Sequence, residues 1–406
     1  MKVMQINSVY NYGSTGKITH DLHHALLKEG IDSVVYYGRR FPTEDEGVHK
    51  FCSEPYSKFN NALSRVTGLM YGGCYFSTNR LISAIEREKP DVVHLQCLNG
   101  YFVNVYRLIA YLKERQIPTV LTLHAEFMYT GNCGHAMDCE RWKTGCGHCP
   151  RWRKETKSLF FDRTAESWRR MKAAFEGFDK LKVVSVSPWL MERARQSPML
   201  VDKEHSVIYN GVGTAVFHCY ETRELRRELG ITENEAVVFH ATPMFNLNPR
   251  HIKGGYYVTE TAKRFAGEPV RFVVAGRYDK AEIYPENMLM LGEIKDQIQL
   301  AKLYSLADVT LLTSKKETFS MVCAESLCCG TPVVGFKAGA PEMISLPEYS
   351  RFVEYGDVGA LENEVRRFLS TGKNGEISDR ASAVYSMETM VRQFVDCYQK
   401  AVANNQ

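Results

Sequence analysis

The sequence predicts an α/β protein with two Rossmann-like domains, and three observations support this prediction. Short apolar runs typical of buried parallel strands alternate with helical patterns from the first residue onwards. A second series of the same kind begins at Ala236, after a stretch without clear strands. A length of 406 residues is enough for two domains of about 150–200 residues, each with its own core.

The composition is that of a soluble globular protein, with 44% hydrophobic and 24% charged residues. A net charge of +4 is too small to indicate a nucleic-acid partner. The chain contains no run close to the ~20 apolar residues that span a bilayer. Because Met1–Ile6 enters a strand directly, without a signal-peptide pattern, we expect a cytoplasmic location.

The first strand is predicted at Lys2–Asn7, followed by a glycine-bearing turn over residues 12–17 and a helix that ends at Gly30. The turn is not a phosphate-binding P-loop, since Asn11 stands where that motif needs glycine and Ile18 where it needs Ser or Thr. Two small residues separate its glycines and leave backbone amides open to a phosphate or hydroxyl. The candidate binding residues here are Gly13 and Gly16.

Further strands are predicted at Asp91–Leu95, Thr119–Leu123 and Lys182–Ser187, the last of them as the final strand of the first domain. His124 follows the second of these strands directly. Ligands of open parallel sheets bind where strands end, so His124 is a candidate site residue. A purely structural histidine is the alternative.

Four cysteines lie within seventeen residues, with the spacing Cys133-x5-Cys139-x6-Cys146-x2-Cys149. Four thiolates suit a tetrahedral structural zinc, which would stabilise a loop without a core of its own. Such a site would have no open coordination position for catalysis. Disulfides or simply reduced thiols are the alternatives.

Residues 151–182 carry ten Lys or Arg against five Asp or Glu and are interleaved with aromatic side chains. A basic, aromatic-bearing helix is a candidate for contact with anionic lipid headgroups. A helix with one solvated face and one core face would have the same composition.

In the second half, the strand Ala236–Ala241 leads into a loop, Thr242–Lys253. Arg250 and Lys253 in this loop precede Gly254-Gly255 and a helix. Two cations beside the N-terminus of a helix can neutralise a diphosphate. Further strands are predicted at Val270–Arg277 and Met288–Gly292.

The strand Ala307–Leu312 is followed by a predicted helix, Glu317–Leu327, and by Gly330. Glu317 falls in the strand-to-helix turn and Glu325 about two turns along the helix. The amides of the first helical turn suit anionic or hydroxyl-rich ligands. They belong to Thr318, Phe319 and Ser320.

This Glu-x7-Glu pattern, followed by Cys329–Val334 and Gly339–Ile344, resembles the nucleotide-sugar site of the retaining family 4 glycosyltransferases. Residues His124–Cys133 also keep the His, Thr, Gly and Cys of a motif found in related polysaccharide enzymes, with Ala125 and Phe127 replacing its Asp and Trp.

The resemblance implies the GT-B fold, in which two Rossmann-like domains face each other. The acceptor-side domain would span residues 1–190, with the cysteine-rich loop at 131–150. The nucleotide-sugar domain would span residues 211–386. A helix over 387–406 would then return to the first domain.

The resemblance also implies roles for the candidate residues. Glu325 would accept hydrogen bonds from the donor ribose, Glu317 would position the sugar, and His124 would contact the donor. Lys253 and Arg250 would neutralise the diphosphate. No cofactor is then required for catalysis, and no Asp-x-Asp pair is placed to hold a metal.

The function that we expect is retaining transfer of a hexose-type sugar from a nucleotide diphosphate-sugar to a saccharide acceptor. The clustered cysteines make the chain resemble a cysteine-bearing subset of the family, which builds capsule, exopolysaccharide or O-antigen units on a lipid diphosphate at the inner face of the membrane. Peripheral membrane contact through residues 151–182 would suit that acceptor. The alternatives are a nucleotide-sugar epimerase of the same fold and a non-catalytic scaffold built on a zinc knuckle.

Overall fold

The computed structural model describes residues 1–403. The last three residues of the helix predicted over 387–406 therefore lie outside the described residues. The chain divides into two compact units by its internal contacts. Unit 1 comprises Met1–Tyr209 with the segment from Met390 onwards, and unit 2 comprises Asn210–Thr389.

Unit 1 is built on a seven-stranded parallel sheet with the order β3-β2-β1-β4-β5-β6-β7. The central strands are buried on both faces, which explains why they are apolar runs rather than alternating patterns. The strands are β1 (Lys2–Asn7), β2 (Asp32–Tyr37), β3 (Val48–Lys50), β4 (Val92–Leu95), β5 (Thr119–Leu123), β6 (Leu181–Ser185) and β7 (Glu204–Val207).

The helices of unit 1 connect these strands. Two of them begin at a side chain that caps the helix N-terminus. The Asn104 side chain accepts a hydrogen bond from Arg107 N at 3.1 Å, and the Ser187 hydroxyl accepts one from Leu190 N at 3.2 Å. The helices are α1 (Gly13–Lys28), α2 (Glu54–Thr67), α3 (Tyr75–Glu88), α4 (Val105–Glu114), α5 (Trp152–Thr156), α6 (Thr164–Phe175) and α7 (Pro188–Ala194), with short 3-10 turns at Glu126–Tyr129 and Arg141–Lys143.

Three expectations for unit 1 are corrected. The predicted glycine turn over residues 12–17 is the first turn of α1, which already begins at Gly13. β6 is not the last strand, because the partly exposed strand β7 pairs with its outer edge. Residues 151–182 are not one helix but two, α5 and α6, separated by a loop, and the aromatic side chains of Trp168, Phe175 and Phe178 are buried.

Unit 2 is built on a six-stranded parallel sheet with the order β10-β9-β8-β11-β12-β13. A continuous core of aliphatic and aromatic side chains packs around it. The strands are β8 (Ala236–Met244), β9 (Val270–Arg277), β10 (Met288–Gly292), β11 (Val309–Leu312), β12 (Val333–Phe336) and β13 (Ser350–Val353).

The helices of unit 2 differ from the prediction at one important point. The helix expected from Glu317 begins four residues later, at Met321, so that Glu317 and the three residues after it belong to a loop. The helices are α8 (Arg223–Glu228), α9 (Gly255–Arg264), α10 (Gln297–Leu306), α11 (Met321–Cys328), α12 (Pro341–Ile344), α13 (Val358–Thr371) and α14 (Ile377–Tyr385).

The last helix, α15 (Met387–Ala403), starts among residues of unit 2 and continues into unit 1. In unit 1 the Tyr398 hydroxyl lies 2.7 Å from Nδ1 of His94, and the rings of Phe394 and His94 are 5.0 Å apart. All three side chains are buried. Within the described part of the chain, the helices are too short or too polar to cross a lipid bilayer.

Candidate functional site

The strand order of unit 2 places β8 beside β11, and the chain winds outward from this pair in both directions. A crevice forms outside the carboxyl ends of two such strands, where ligands of open parallel sheets bind. The loops after β8 and β11 border this crevice. They contain Lys253 and Glu317.

The two loops meet at Gly254. Its backbone has φ 68°, and a Cβ atom at this position would lie 2.1 Å from the carbonyl oxygen of Thr313. The Thr313 hydroxyl donates to the carbonyl oxygens of Lys253 and Gly254, at 3.2 and 3.0 Å. Only glycine fits this contact, which holds the N-terminus of α9 against the end of β11.

The contact brings the two predicted catalytic side chains together. Lys253 Nζ lies 2.6 Å from Glu317 Oε1, although 64 residues separate them along the chain. Both side chains keep some exposure, 33% for Lys253 and 16% for Glu317. A cation held beside a carboxylate therefore lies at the crevice and is accessible to a ligand.

The backbone on both sides of Glu317 is fixed by the loop after β12. Glu317 N donates to the carbonyl oxygen of Ala338 at 3.0 Å, and Ala340 N donates to that of Glu317 at 3.3 Å. The Glu342 carboxylate accepts from the amides of Ala338 and Gly339, at 3.0 and 2.9 Å. Glu342 is thus a positioning residue for Glu317.

A concave cavity of about 240 Å³ adjoins Glu325, the second glutamate of the pattern. The Tyr304 hydroxyl donates to Glu325 Oε2 at 3.2 Å. Burial and this carboxylate raise the pKa of Tyr304 well above its ordinary value, so the phenol remains a donor. The cavity is lined by Ala241, Thr242, Pro243, Ala275, Gly276, Glu293, Ile294, Leu300, Tyr304, Val322 and Glu325.

Most of these lining residues were not predicted from the sequence. They come from the ends of β8 and β9, the segment after β10, and α10 and α11, so that no single motif contains them. Gly276 is the exception, because a glycine beside the end of a predicted strand indicates a turn or a close backbone contact. Its φ is 150°, and a Cβ atom there would lie 2.1 Å from the carbonyl oxygen of Thr242.

The three residues predicted to present amides, Thr318–Ser320, lie in the loop before α11. Ser320 has φ 93° and ψ 89°, a conformation that is unusual for a residue with a side chain. Its hydroxyl accepts a hydrogen bond from Cys323 N at 3.3 Å, which caps α11. Strained backbone of this kind is concentrated at ligand-binding sites.

A buried histidine, His240, lies at the same end of the sheet. Its Nδ1 lies 2.8 Å from the carbonyl oxygen of Leu311. Burial lowers the pKa of His240 to about 4, with the nearby Lys253 contributing in the same direction. This imidazole is therefore neutral at physiological pH.

In unit 1 the corresponding crevice lies between β1 and β4. Here His124 Nε2 lies 3.3 Å from Gln96 Oε1, and the Gln96 amide donates to Gln5 Oε1 at 2.7 Å. Burial lowers the pKa of His124 to about 4. A chain of neutral polar groups therefore runs along this edge.

Gly13 and Gly16 lie in the first turn of α1, beside the end of β1. Gly13 is exposed with φ 62°. Gly16 is buried, and its carbonyl oxygen accepts from Asn11 N at 3.0 Å. Exposed backbone is thus present at Gly13, whereas Gly16 serves the close packing of the loop after β1.

One buried ion pair was missed by the sequence analysis. The fully buried Glu126 carboxylate accepts from Arg193 Nε at 2.7 Å, from the Tyr129 hydroxyl at 3.0 Å, and from Ala136 N at 2.7 Å. The Arg193 guanidinium also lies over the Trp142 ring, 5.0 Å from its centroid. This network joins Glu126, which precedes the cysteine-rich loop, to Ala136 and Trp142 within the loop.

The four clustered cysteines are free thiols in the structure. Among the residues that the structure describes, 1–403, no three of these sulfur atoms lie within 4.8 Å of one another. Cys146 Sγ instead accepts from Gly131 N at 3.2 Å. The arrangement is not that of an assembled zinc site, and no step of the chemistry below depends on one.

The structure therefore brings some of the predicted residues together and separates others. Lys253 and Glu317 form a pair, and Glu325 lies at the neighbouring cavity of the same unit. Arg250 is exposed in the loop between β8 and α9, and its backbone amide donates to Asn248 Oδ1 at 2.9 Å. His124 belongs to the edge of the other unit.

Two family models match the chain. Residues 15–216 match Glycosyltransferase Family 4, and residues 244–371 match Glycosyl transferases group 1. A putative colanic acid biosynthesis glycosyl transferase, WcaC of Escherichia coli K12, is 22% identical over 98% of this chain and 100% of its own length. The N-acetyl-alpha-D-glucosaminyl L-malate synthase of Bacillus anthracis is 26% identical over 48% of this chain and 54% of its own length.

Solved structures agree in fold. Sucrose-phosphate synthase from Thermosynechococcus elongatus superimposes with a TM-score of 0.70 at 16% identity, covering 99% of both chains. Anabaena HepE in complex with UDP gives a TM-score of 0.67 at 16% identity, covering 98% of this chain and 100% of its own. The chain is thus a GT-B protein that belongs to the family 4 glycosyltransferases, with relatives in polysaccharide biosynthesis.

Proposed function

We propose that the protein transfers a hexose-type sugar, with retention of anomeric configuration, from a nucleotide diphosphate-sugar to a saccharide acceptor. The observation that carries the proposal is the Lys253–Glu317 pair beside the cavity at Glu325. A cation for a diphosphate, a carboxylate for a sugar and a cavity of about 240 Å³ for a nucleoside thus belong to one unit. Anabaena HepE, a structural neighbour, has been solved in complex with UDP and with UDP-glucose, which supports this class of donor.

In the proposed complex, the Glu325 carboxylate accepts hydrogen bonds from the ribose hydroxyls of the donor. An ionised carboxylate forms stronger hydrogen bonds to hydroxyl groups than a neutral acceptor does. The donor hydroxyls would replace or join the hydrogen bond that Tyr304 now donates to Glu325. Glu317 would accept from hydroxyls of the transferred sugar.

The diphosphate would lie at the N-terminus of α9, next to Lys253. Negative charge grows on the diphosphate as the bond from the anomeric carbon to its oxygen breaks. A fixed cation at that point stabilises the transition state more than the ground state. The side chain of Lys253 and the backbone amide of Gly255 would supply this stabilisation without a cofactor.

For retention, we propose attack on the face from which the diphosphate departs. The acceptor oxygen forms its bond to the anomeric carbon as the bond to the phosphate oxygen breaks, and the acceptor proton passes to that oxygen. Glu317 is paired with Lys253 and is assigned a positioning role rather than that of a nucleophile. Trapping of a covalent glycosyl-enzyme adduct would overturn this mechanism.

The donor site is tested first by thermal shift with UDP-, GDP-, ADP- and CMP-sugars on the wild type and on Glu325→Ala. A ligand at 100 times its Kd raises stability by about 2.7 kcal/mol. We expect one nucleotide series to raise the melting temperature of the wild type, and the variant to lose most of that rise. No response from a folded wild-type protein to any nucleotide would contradict the proposal. Product analysis without acceptor then separates transfer from epimerisation.

We further propose that the acceptor is lipid-linked and that unit 1 contacts an anionic bilayer. Phe59, Leu63 and Val66 lie on one face of α2 and are 63%, 44% and 47% exposed. The loop between α5 and α6 adds Leu159, Phe160 and Phe161, which are 56%, 64% and 52% exposed. Leu159 N donates to the carbonyl oxygen of Arg65 at 2.7 Å, so the two groups form one surface.

Exposed cations accompany this apolar surface on the same elements: Lys58, Arg65, Lys157 and Arg163. Apolar side chains that enter the headgroup region, beside cations that attract anionic lipids, are typical of peripheral membrane proteins. The surface replaces the single basic helix expected from the sequence. It retains the loop at 157–163 from that prediction and adds α2.

Co-sedimentation with vesicles of anionic and of neutral lipids tests this contact. We expect Phe59→Ser with Phe160→Ser, and separately Lys58→Glu with Lys157→Glu, to weaken binding to anionic vesicles and to leave nucleotide binding unchanged. Ile283→Ser is the matched control, because Ile283 is 92% exposed in unit 2. Equal vesicle binding by all variants would refute the contact.

A further inference from the structure

Two histidines and an aspartate converge on the surface of unit 1, apart from the strand edges described above. His20 and His24 are one helical turn apart on α1, and Asp45 lies in the loop between β2 and β3. One ligand atom from each residue lies within 4.8 Å of the other two. All three residues are partly buried.

The distances are close to those of a coordination shell. His24 Nε2 lies 3.7 Å from Asp45 Oδ2, and the two imidazole rings are 4.4 Å apart between centroids. Two ligands at about 2.0–2.1 Å from a tetrahedral zinc ion are about 3.4 Å apart. Small side-chain rotations would therefore be sufficient to admit an ion.

Neighbouring side chains contact both histidines of the cluster. Asp21 Oδ1 lies 2.7 Å from Nδ1 of His20. A carboxylate at this distance favours the tautomer with the proton on Nδ1, in which Nε2 is the ligand atom. A carboxylate behind a histidine is the usual outer partner of a metal-binding imidazole. The Tyr10 hydroxyl lies 3.4 Å from His24 Nε2, at the border of the cluster.

His23, the third histidine of this helix, is not available as a ligand and instead supports the loop that carries Asp45. Its Nδ1 lies 2.9 Å from Ser33 Oγ, and its Nε2 lies 3.2 Å from the carbonyl oxygen of Glu46. The residue next to Asp45 is thus hydrogen-bonded to α1. The third ligand is held in place before any ion binds.

We infer that His20, His24 and Asp45 bind a divalent transition-metal ion of the zinc class. Two imidazoles with one carboxylate favour zinc and its neighbours in the first transition series over magnesium or calcium, which prefer oxygen ligands. The ion would link α1 to the β2–β3 loop and so stabilise unit 1. Three protein ligands leave at least one position for water.

The test is calorimetric titration of Zn²⁺ into full-length protein that has been freed of metals and of any affinity tag. We expect saturable binding in the wild type, and one equivalent less in the double variant His20→Asn with His24→Asn. His49→Asn is the matched control, because His49 is an exposed histidine of the same unit on β3. The cysteine-rich loop is unchanged in all variants, so any zinc that it binds cancels in the comparison.

A second variant keeps the inference testable if the double variant folds poorly. Asp21→Asn retains all three ligands and removes only the carboxylate behind His20, for which we expect affinity to fall about 10–100-fold. Zn²⁺ should also raise the melting temperature of the wild type more than that of either variant. Equal stoichiometry and affinity in the wild type and the double variant, or no saturable binding, would overturn the inference.

Discussion

The two sheets end in crevices of the same topology but of opposite chemistry. At the β8–β11 edge, the ends of the strands carry an ion pair, Lys253–Glu317, and a carboxylate, Glu325, beside a cavity. At the β1–β4 edge, Gln5, Gln96 and His124 form a neutral chain. The charged groups therefore lie at the β8–β11 edge, where the proposed diphosphate leaving group would bind. The neutral groups lie at the β1–β4 edge, where they suit the hydroxyl groups of a sugar.

The parallel sheet therefore specifies only where a ligand binds. What binds there depends on a few side chains in the loops that follow the strands. The following predictions test whether the charged edge and the neutral edge contribute as differently as their chemistry implies.

The largest effect is expected at the charged edge. Lys253→Met should lower kcat about 10²–10³-fold, because it removes the cation that stabilises the departing diphosphate. The measurement is steady-state transfer to a saccharide acceptor. Lys263→Met on α9 is the control, since Lys263 forms only a surface ion pair with Glu260. A loss below tenfold would mean that other groups neutralise the diphosphate.

The next effect concerns the glycine that joins the two loops. Gly254→Ala places a methyl group 2.1 Å from a carbonyl oxygen and also requires φ 68° from alanine. We expect a loss above about 2 kcal/mol, or a fall of about 4–8 °C in the melting temperature. Gly230→Ala is the control, because Gly230 has φ 66° with open space around it. Equal shifts for both variants would show that the contact with Thr313 relaxes freely.

The two edges should respond alike to acid. Burial lowers the pKa of both His124 and His240 to about 4. The unfolded chain, with an ordinary histidine pKa near 6.5, then binds more protons than the native state between these values, so stability falls as pH drops below about 6.5.

At pH 5 each of these histidines should contribute a loss of about 2 kcal/mol relative to pH 7.5. Chemical unfolding at the two pH values measures it, with His124→Asn and His240→Asn compared with the wild type. Each variant should show a smaller pH dependence than the wild type. An unchanged pH dependence in His124→Asn would show that the pKa of this imidazole is not lowered in the native state.

The smallest effect is expected at the neutral edge. Gln96→Met removes one member of a chain of neutral hydrogen bonds, which contribute about 0.5–1.5 kcal/mol each. Activity should fall by tenfold or less, and nucleotide binding in the thermal-shift assay should be unchanged. A loss as large as that of Lys253→Met would remove the distinction between the two edges.

Much of the fold follows from the sequence because buried parallel strands are continuous apolar runs between turn residues. β1, β9 and β10 coincide with their predicted bounds. β7 was missed for the opposite reason, since Glu204–Val207 is a polar edge strand without an apolar run. The register of an edge strand depends on its neighbour rather than on its own pattern.

The candidate site was predicted less completely. The spacing of Glu317 and Glu325 identified the loop and the helix, but the start of α11 at Met321 depends on the backbone of Ser320, which adopts a positive φ despite its side chain. The cavity wall at Leu300 and Tyr304 comes from a different helix and has no local signature. The zinc prediction at the four cysteines rests on their spacing alone, and no three of their sulfur atoms lie within 4.8 Å of one another among the described residues.

The path of α15 affects how the protein folds during synthesis. Unit 2 is one continuous stretch of chain, whereas unit 1 needs residues from both ends. His94 is buried against Phe394 and Tyr398, which leave the ribosome about 300 residues later, as their sequence separation of 304 requires. Domains usually fold in order of synthesis. Here the second unit can be complete while the first still exposes an unfilled part of its core, so the nascent chain is most vulnerable to aggregation until α15 has been synthesised.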